Sequence, residues 1–527
     1  MKIPWTHPIA TRLDHLGRSI TYEEAAKQVR NRLRSYSAES VAVLALELLR
    51  QGDQQSHEHL QTWPWITCLV VKLAFDNASI PLHGHSCPQH VFDRCRQILW
   101  NAQAGNGSFN DPRGGLYLTL RSMLQAQLPF QSKPGWEFIR VPALLRRLPE
   151  DHPSRRLFEQ QFGMTPNVFI CLSYAITAQI VKGHRVIHIR SFDKLGQAFG
   201  TAVERFFALF ARDYAGLRTE LQEESAMRLA NRQSRRLDTE YNEFPWLSNF
   251  PLLKLNSHSF AVWHPLVFAR GLENAAHRRL SLHKAEYSSS FSKVFEEYVL
   301  ELIRESGVRY IDEAEYKRRY GGDKNAVEAI ISQEGINIFV ESKMTAYSSE
   351  VTTSGRAPVV WTGLKRVREA MKQGWMVSTA VRSGAFADLD CSTAREDFLI
   401  VVTSQQMMCA TGEHFRRLFK PEVFDPDVPM LRGTRPSCPD AQQLARLPLK
   451  NIIIASIAEF ELLMGAVGAA ELDLLAFLRK VAQANEDPST SIMFLQQMLS
   501  AHARLPQALS DARNEAEDTL RAVMGKV

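Results

Sequence analysis

Through most of the first 280 positions, apolar residues recur every three or four places, the period of helices that bury one stripe. That pattern predicts helices over 22–36, 38–49, 63–78, 91–101 and 116–127, the second with Ser37 as its cap and Gly52 as its stop. Residues 104–115, dense in Gly, Asn, Asp and Pro, read as a loop. The longest apolar run, 168–181, is interrupted by Ser173, Thr177 and Gln179 and falls short of the ~20 residues a membrane span needs, so it reads as a buried helix. The stretch 195–218 predicts the longest helix of this region. Near Phe244-Pro245-Trp246 the pieces become short and β-like: 252–255 and 260–263 predict a hairpin turning at Asn256-Ser257-His258, and Pro265 opens a helix over 266–280.

A second hairpin is more informative. Ala326-Val327-Glu328-Ala329-Ile330-Ile331 and Ile336-Asn337-Ile338-Phe339-Val340-Glu341-Ser342-Lys343 read as two strands joined by a tight turn at Gln333-Glu334-Gly335. Side chains alternate along a strand, so Glu341 and Lys343 share one face while Val340 and Ser342 take the other. Glu328 is the only charge in its apolar run and is expected in the middle of the partner strand. Strands this apolar are covered on both faces, where charges are costly. Three charges converging there suggest a metal-dependent phosphodiesterase centre.

Around the hairpin the pattern predicts a helix over 290–305, a short strand near 308–311, a loop over 344–358, a helix over 361–372 and a strand at 398–403. A Pro-rich excursion, 420–448, precedes a strand at 451–456, and Ser456 caps a helix over 457–464. The order is that of a mixed sheet flanked by helices, and the tail from 471 to 527 reads as two or three helices.

Glu341-Ser342-Lys343 resembles the (D/E)xK half of the PD-(D/E)xK nuclease superfamily. Glu328, thirteen residues upstream, stands where that family places its first acidic residue, usually an Asp. The helix around Phe291–Leu300 resembles the family's opening helix, whose Phe-Glu pair contributes a further carboxylate, here Glu296. The resemblance spans roughly residues 281–463 and implies an α/β, restriction-endonuclease-like fold. It divides the chain into a mainly helical recognition or regulatory region (1–280), a nuclease-like domain (281–465) and a C-terminal helical segment (466–527). The sequence departs from the family in carrying Glu for Asp at 328 with no Pro before it. Asp323, in the Gly321-Gly322 turn, competes for the same role, and Glu328 is preferred because it lies within the apolar strand pattern.

The implied chemistry is hydrolysis of a phosphodiester in DNA or RNA with Mg²⁺ (or Mn²⁺), a hard cation that takes oxygen ligands. Glu328, Glu341 and the Ser342 carbonyl would be the ligands, Lys343 would orient water and stabilise developing charge, and Glu296 would tune the site. Lys365, Arg366, Arg368 and Lys372 would contact phosphates, although a run of this kind also reads as a solvated helix face. Nucleases of this superfamily with helical extensions resemble anti-phage defence effectors. A trigger, such as an activating protein or phage component, is therefore expected. The alternative is a nuclease-like scaffold that binds nucleic acid or protein without cutting.

Composition adds little to this. With 527 residues, 45% hydrophobic and 23% charged, the chain has material for several globular domains. A net charge of +6 is compatible with a nucleic-acid partner without demonstrating one. Seven cysteines without a C-x-x-C pair, and an N-terminus without an apolar signal core, lead to the expectation of a reducing, cytoplasmic setting with no membrane contact. His83, His85, Cys87 and His90 are metal-capable, but their spacing matches no defined ligand pattern, and a polar loop capping the following helix is the preferred reading. No Walker loop, H-E-x-x-H or G-x-S-x-G occurs.

Overall fold

A computed structural model describes residues 20–51, 57–102, 115–131, 136–230, 240–320, 326–345, 347–382, 394, 396–418, 446–487, 490–499 and 505–525. Asp323, the loop at 104–114 and the Pro-rich excursion over 420–445 lie outside them. The chain is mixed α/β and largely helical, with two small sheets.

The first sheet is embedded in the N-terminal helical region. Its strands β1 (Val186–His188), β2 (Ala211–Arg212), β3 (Leu252–Lys254) and β4 (Ser259–Val262) lie in the order β1-β4-β3-β2, antiparallel except for the β2–β3 pair. The β3–β4 hairpin is the one foreseen at 252–263. The single helix expected over 195–218 is instead three helices and a strand: Asp193–Phe199, Ala202–Phe210, β2 and Tyr214–Ala230. Gly200, at φ 61° and ψ −134°, stops the first of these in a backbone conformation that a side chain would oppose. The apolar period continues through the break because all three helices bury their apolar side chains, which hides the break from a reading of period alone.

The second sheet carries the motif strands. β5 (Ile311–Asp312), β6 (Ala329–Gln333), β7 (Ile336–Lys343), β8 (Glu396–Thr403) and β9 (Ile452–Ser456) run in sequence order across it. β5, β6 and β7 are antiparallel, while β7, β8 and β9 are parallel. The β6–β7 turn has two central residues, Glu334 and Gly335, both at positive φ (52° and 72°), the geometry that matches strand twist in a two-residue hairpin. The strand expected at 308–311 is reduced to β5, and the helix Glu313–Tyr320 follows it directly. The expected 344–358 loop contains the helix Ser349–Thr353, and the helix placed at 361–372 is two, Ala357–Gly363 and Lys365–Arg382. At the far edge, Ser456 and Glu459 form a reciprocal capping box for Ile457–Gly468.

Three apolar cores alternate with the two sheets. Helices of the first 130 residues pack with Leu253, Ala261 and Trp263 on one face of the first sheet. Leu252, Phe260 and Val262 on its other face join the largest core. That core runs through the helix Lys284–Glu305 to Ile338, Val340, Ile400, Val402 and Ala455 of the second sheet, and takes in the C-terminal helices. Ile330, Phe339, Leu399, Val401 and Ile454 face the third core, beneath Lys365–Arg382. Gly374 allows this helix to sit close, because a Cβ there would meet Leu399 at 2.6 Å. The largest core is therefore continuous across residues 280 and 465.

Two buried arginines tie the N-terminal region to the helices and loops that flank the second sheet. Arg140 forks onto Glu461 at 2.6 and 2.8 Å, and Tyr298 donates to the same carboxylate at 2.7 Å. Arg121, on the helix Gly115–Gln127, donates to the carbonyls of Met407 (3.0 Å) and Val351 (2.9 Å). The helix Pro166–Val181, expected to be buried, buries Phe169, Ile170 and Cys171 in the largest core. Among the described residues no single helix is long and apolar enough to cross a membrane.

Candidate active site

The last rung of the β6–β7 ladder pairs Ala329 with Val340, so Glu328 and Glu341 stand opposite one another one step beyond it. Opposed residues of an antiparallel pair share a face, which brings the two carboxylates together. Glu328 is not in the middle of the partner strand, as the sequence suggested, but just before it. The helix Glu313–Tyr320 ends the ladder there, its first N–H donating to the Glu328 carbonyl at 3.1 Å.

β7 outruns β6, and Glu328 fills the gap. Its Oε1 accepts from the Ser342 N–H at 3.1 Å and from the Ser342 Oγ at 2.7 Å. Ser342 thus enters the site as the anchor of Glu328, and its pairing on the opposite side is with Val402 of β8. Lys343 Nζ donates to Glu341 Oε1, as their shared face requires. The Lys343 side chain is 21% exposed and the Glu341 side chain 1%. Glu341 Oε2 is buried with no hydrogen-bond donor among the described residues. Burial, and then the Glu328 carboxylate beside it, hold the Glu341 carboxyl well above the usual carboxylate range, with Lys343 pulling the other way.

Glu296 reaches the same place from the helix Lys284–Glu305. It is half-buried. Burial first, then Glu328, raise its carboxyl, and Lys343 opposes them. Glu297, beside it, is exposed. Two neighbours escaped the reading of the sequence. Glu313 pairs with Lys317 at 2.6 Å; its charge acts on Glu296, while that of Glu328 acts on Lys317. The available signal was Asp312-Glu313 directly after an Ile, with a lysine four residues on, where a strand passes into a helix. Asp312 caps that helix by accepting from the Glu315 N–H at 2.7 Å.

An oxygen buried without a donor, beside a second carboxylate, is a place a hard cation fits. Mg²⁺ takes one or two carboxylates and completes its shell with waters and phosphate oxygens. Among the described residues no group of three or more His, Cys, Asp or Glu side chains is set to hold a metal. The Glu328–Glu341 pair would therefore be the protein's contribution.

The other candidates fare less evenly. Lys365 and Arg366 are exposed and lean on Glu369 at 3.8 and 3.4 Å, and Lys372 is exposed as well. Arg368 does not join them, since its guanidinium lies 4.0 Å from the centre of the Trp361 ring. The His83–His90 loop braces the start of the distant helix Ala38–Leu49 rather than the helix that follows it. His83 pairs with Glu39 at 2.7 Å, the Cys87 N–H donates to Ser40 Oγ, and the His85 carbonyl accepts from Ser37 N–H. Burial pushes the Cys87 thiol up to about 11, which makes it a poor thiolate ligand.

Comparison with protein families, with curated proteins and with solved structures found no match to the chain.

Proposed function

We propose that the chain is a divalent-metal-dependent nuclease on a restriction-endonuclease-like sheet, with Glu328, Glu341, Lys343 and Glu296 as its centre. The observation that carries this reading is the buried, donorless Oε2 of Glu341, set across the strand pair from Glu328 and beside Lys343. A bound Mg²⁺ or Mn²⁺ would neutralise phosphate charge and make water a competent nucleophile at neutral pH.

The side chains divide the rest of the work. Glu341 and Glu328 hold the cation through carboxylate oxygens, and Ser342 keeps Glu328 from swinging away. Lys343, partly exposed at the end of β7, orients the attacking water and meets the negative charge that builds on the phosphorus oxygens. Glu296, half-buried and held above its ordinary range, accepts a proton beside the carboxylate pair. Lys365, Arg366 and Lys372 supply exposed positive charge for a nucleic-acid backbone. A non-catalytic scaffold would account for Glu328, which caps the end of a ladder. It gives no reason to bury Glu341 beside a second carboxylate, where burial and that charge both oppose its ionisation.

The test is cleavage of plasmid DNA, single-stranded DNA and total tRNA with Mg²⁺ or Mn²⁺, wild type beside Glu341→Ala, with EDTA as control. Metal-dependent cutting that the variant lacks is expected, and the polymer that is cut names the substrate. Equal cutting by both proteins would show that the centre lies elsewhere.

A further inference from the structure

Past the C-terminal ends of β7, β8 and β9, the helical region and the second sheet enclose a cavity of about 520 Å³. Neither Glu341 nor Lys343 lines it. Its size is that of a small-molecule site.

The charges on its wall are mostly satisfied within the protein. Glu224 pairs with Arg228 and accepts from the Trp246 indole at 3.0 Å. Glu243 pairs with Lys72 at 3.5 Å and Glu273 with Arg270 at 2.5 Å. Glu459 accepts from the N–H groups of Ser456 and Gln496 at 2.8 and 3.2 Å, and Glu137, a further, largely buried carboxylate of the wall, lies within the field of Arg270 and Arg140. Arg140 is spent on Glu461.

Arg278 is the exception. Its guanidinium donates to the side-chain and backbone oxygens of Asn249, both neutral, and no carboxylate among the described residues pairs with it. Arg279 and Arg212 stand near it, and among the described residues Glu220 is the carboxylate that acts on the group. Arg212 takes that carboxylate at 2.6 Å. Arg212 and Arg279 are also covered by rings, Phe250 at 4.3 Å and Phe162 at 5.8 Å from their centres. Burial, with Arg279 and Arg212, brings Arg278 down to about 10, so it stays charged at neutral pH. A largely buried cation on the wall of a cavity, without a carboxylate paired to it among the described residues, is a place for an anion from outside. The same wall carries Phe244 and Trp246, flat surfaces for a planar body.

We propose that this cavity binds a small organic anion, its phosphate or carboxylate held by Arg278 and its planar body against Phe244 and Trp246. The site does not depend on the nuclease reading. Its far wall includes Tyr347 and Gln405, from the segments that leave β7 and β8, joined by a 3.0 Å hydrogen bond from the Tyr347 N–H to Gln405 Oε1. That wall begins four residues beyond Lys343, so the cavity adjoins the segment that leaves the motif strand.

The experiment is calorimetric titration of the full chain in EDTA with AMP, inorganic phosphate, 4-hydroxybenzoate and adenosine. Saturable binding of AMP, with weaker binding of phosphate, identifies a phosphate-bearing ligand; binding of 4-hydroxybenzoate alone identifies a carboxylate. In either case Arg278→Gln weakens binding about 10–100-fold, the loss of a charge-assisted pair. Arg278→Lys, which keeps the charge if the Gln variant fails to fold, retains most of the affinity. Lys343→Ala binds as wild type does. The proposal is overturned if none of the anions binds, if adenosine binds as well as AMP, if both Arg278 variants bind unchanged, or if Lys343→Ala abolishes binding and so places the anion beside Glu341.

Discussion

Replacing Glu341 by Gln removes one negative charge while keeping the shape of the side chain, and the structure fixes the direction of the stability change. In the wild type Oε2 is buried without a donor beside Glu328, an arrangement worth about 1–3 kcal/mol of destabilisation. The Gln amide can donate toward Glu328, while its oxygen still accepts from Lys343. Against this stands the weakening of a charged pair whose lysine is partly exposed, worth about 1 kcal/mol or less. Where the pH is high enough to ionise the raised Glu341 carboxyl, the metal-free variant should be more stable by ~1–2 kcal/mol, a rise in melting temperature of about 2–8 °C for a cooperative unit of about 150–250 residues. The sign with pH follows from linkage. The folded state holds the Glu341 proton more tightly than the unfolded chain does, so wild-type stability falls as pH rises from the ordinary carboxylate value of about 4.3 through the raised one. Below ~pH 4 the carboxyl is protonated in both states and the advantage of Gln should vanish. Calorimetric melts in EDTA across this range test it. Mg²⁺ should then reverse the ranking, since a cation at about a hundred times its Kd adds ~2.7 kcal/mol to wild type alone. A Gln variant that is less stable at every pH, or as responsive to Mg²⁺ as wild type, would refute the reasoning.

Lys343→Ala should leave the melting temperature nearly unchanged and lower cleavage about 10²–10³-fold, the usual effect of losing one charge-stabilising donor; cleavage rates over time on the preferred polymer decide it. Arg140→Met strands the buried Glu461 with only Tyr298 and should cost about 3–5 kcal/mol in denaturant unfolding, much of it recovered by adding Glu461→Leu. Arg121→Met leaves the Met407 and Val351 carbonyls without their donor and should cost ~1–3 kcal/mol. Hydrogen exchange should then quicken over 404–411 and 347–354, and unchanged exchange in both segments would show that the arginine is not what holds them.

The motif hairpin was legible because two local signals agree there, the alternation of side chains along Ile336–Lys343 and a Glu-Gly turn suited to positive φ. The partnership of Glu341 with Lys343 follows from that alternation alone. The position of Glu328 does not, because a ladder's end is set by what interrupts it, and the interrupting helix Glu313–Tyr320 lay in a stretch that gave only a weak strand signal. For the same reason Glu313 and Lys317 went unread. Arg368 was grouped with its neighbours by spacing, but its partner, Trp361, sits across a helix break that the period of apolar residues conceals. Arg121, Arg140 and Arg278 have no local signature at all. Their partners lie 286, 321 and 29 positions away, and only the assembled cores bring them together.

The continuity of the largest core bears on how the chain can be taken apart. A fragment cut at residue 281 would keep the motif strands but uncover the side of Lys284–Glu305 that packs against the preceding helices. It would also lose Leu118 from the core beneath Lys365–Arg382 and the arginine that holds the Val351 and Met407 carbonyls. The helical half is therefore masonry for the motif sheet: a gene shortened at this point is expected to yield an insoluble product rather than a free-standing form of the proposed nuclease. Mutations that release activity are to be sought at single positions along the seam, not by deletion.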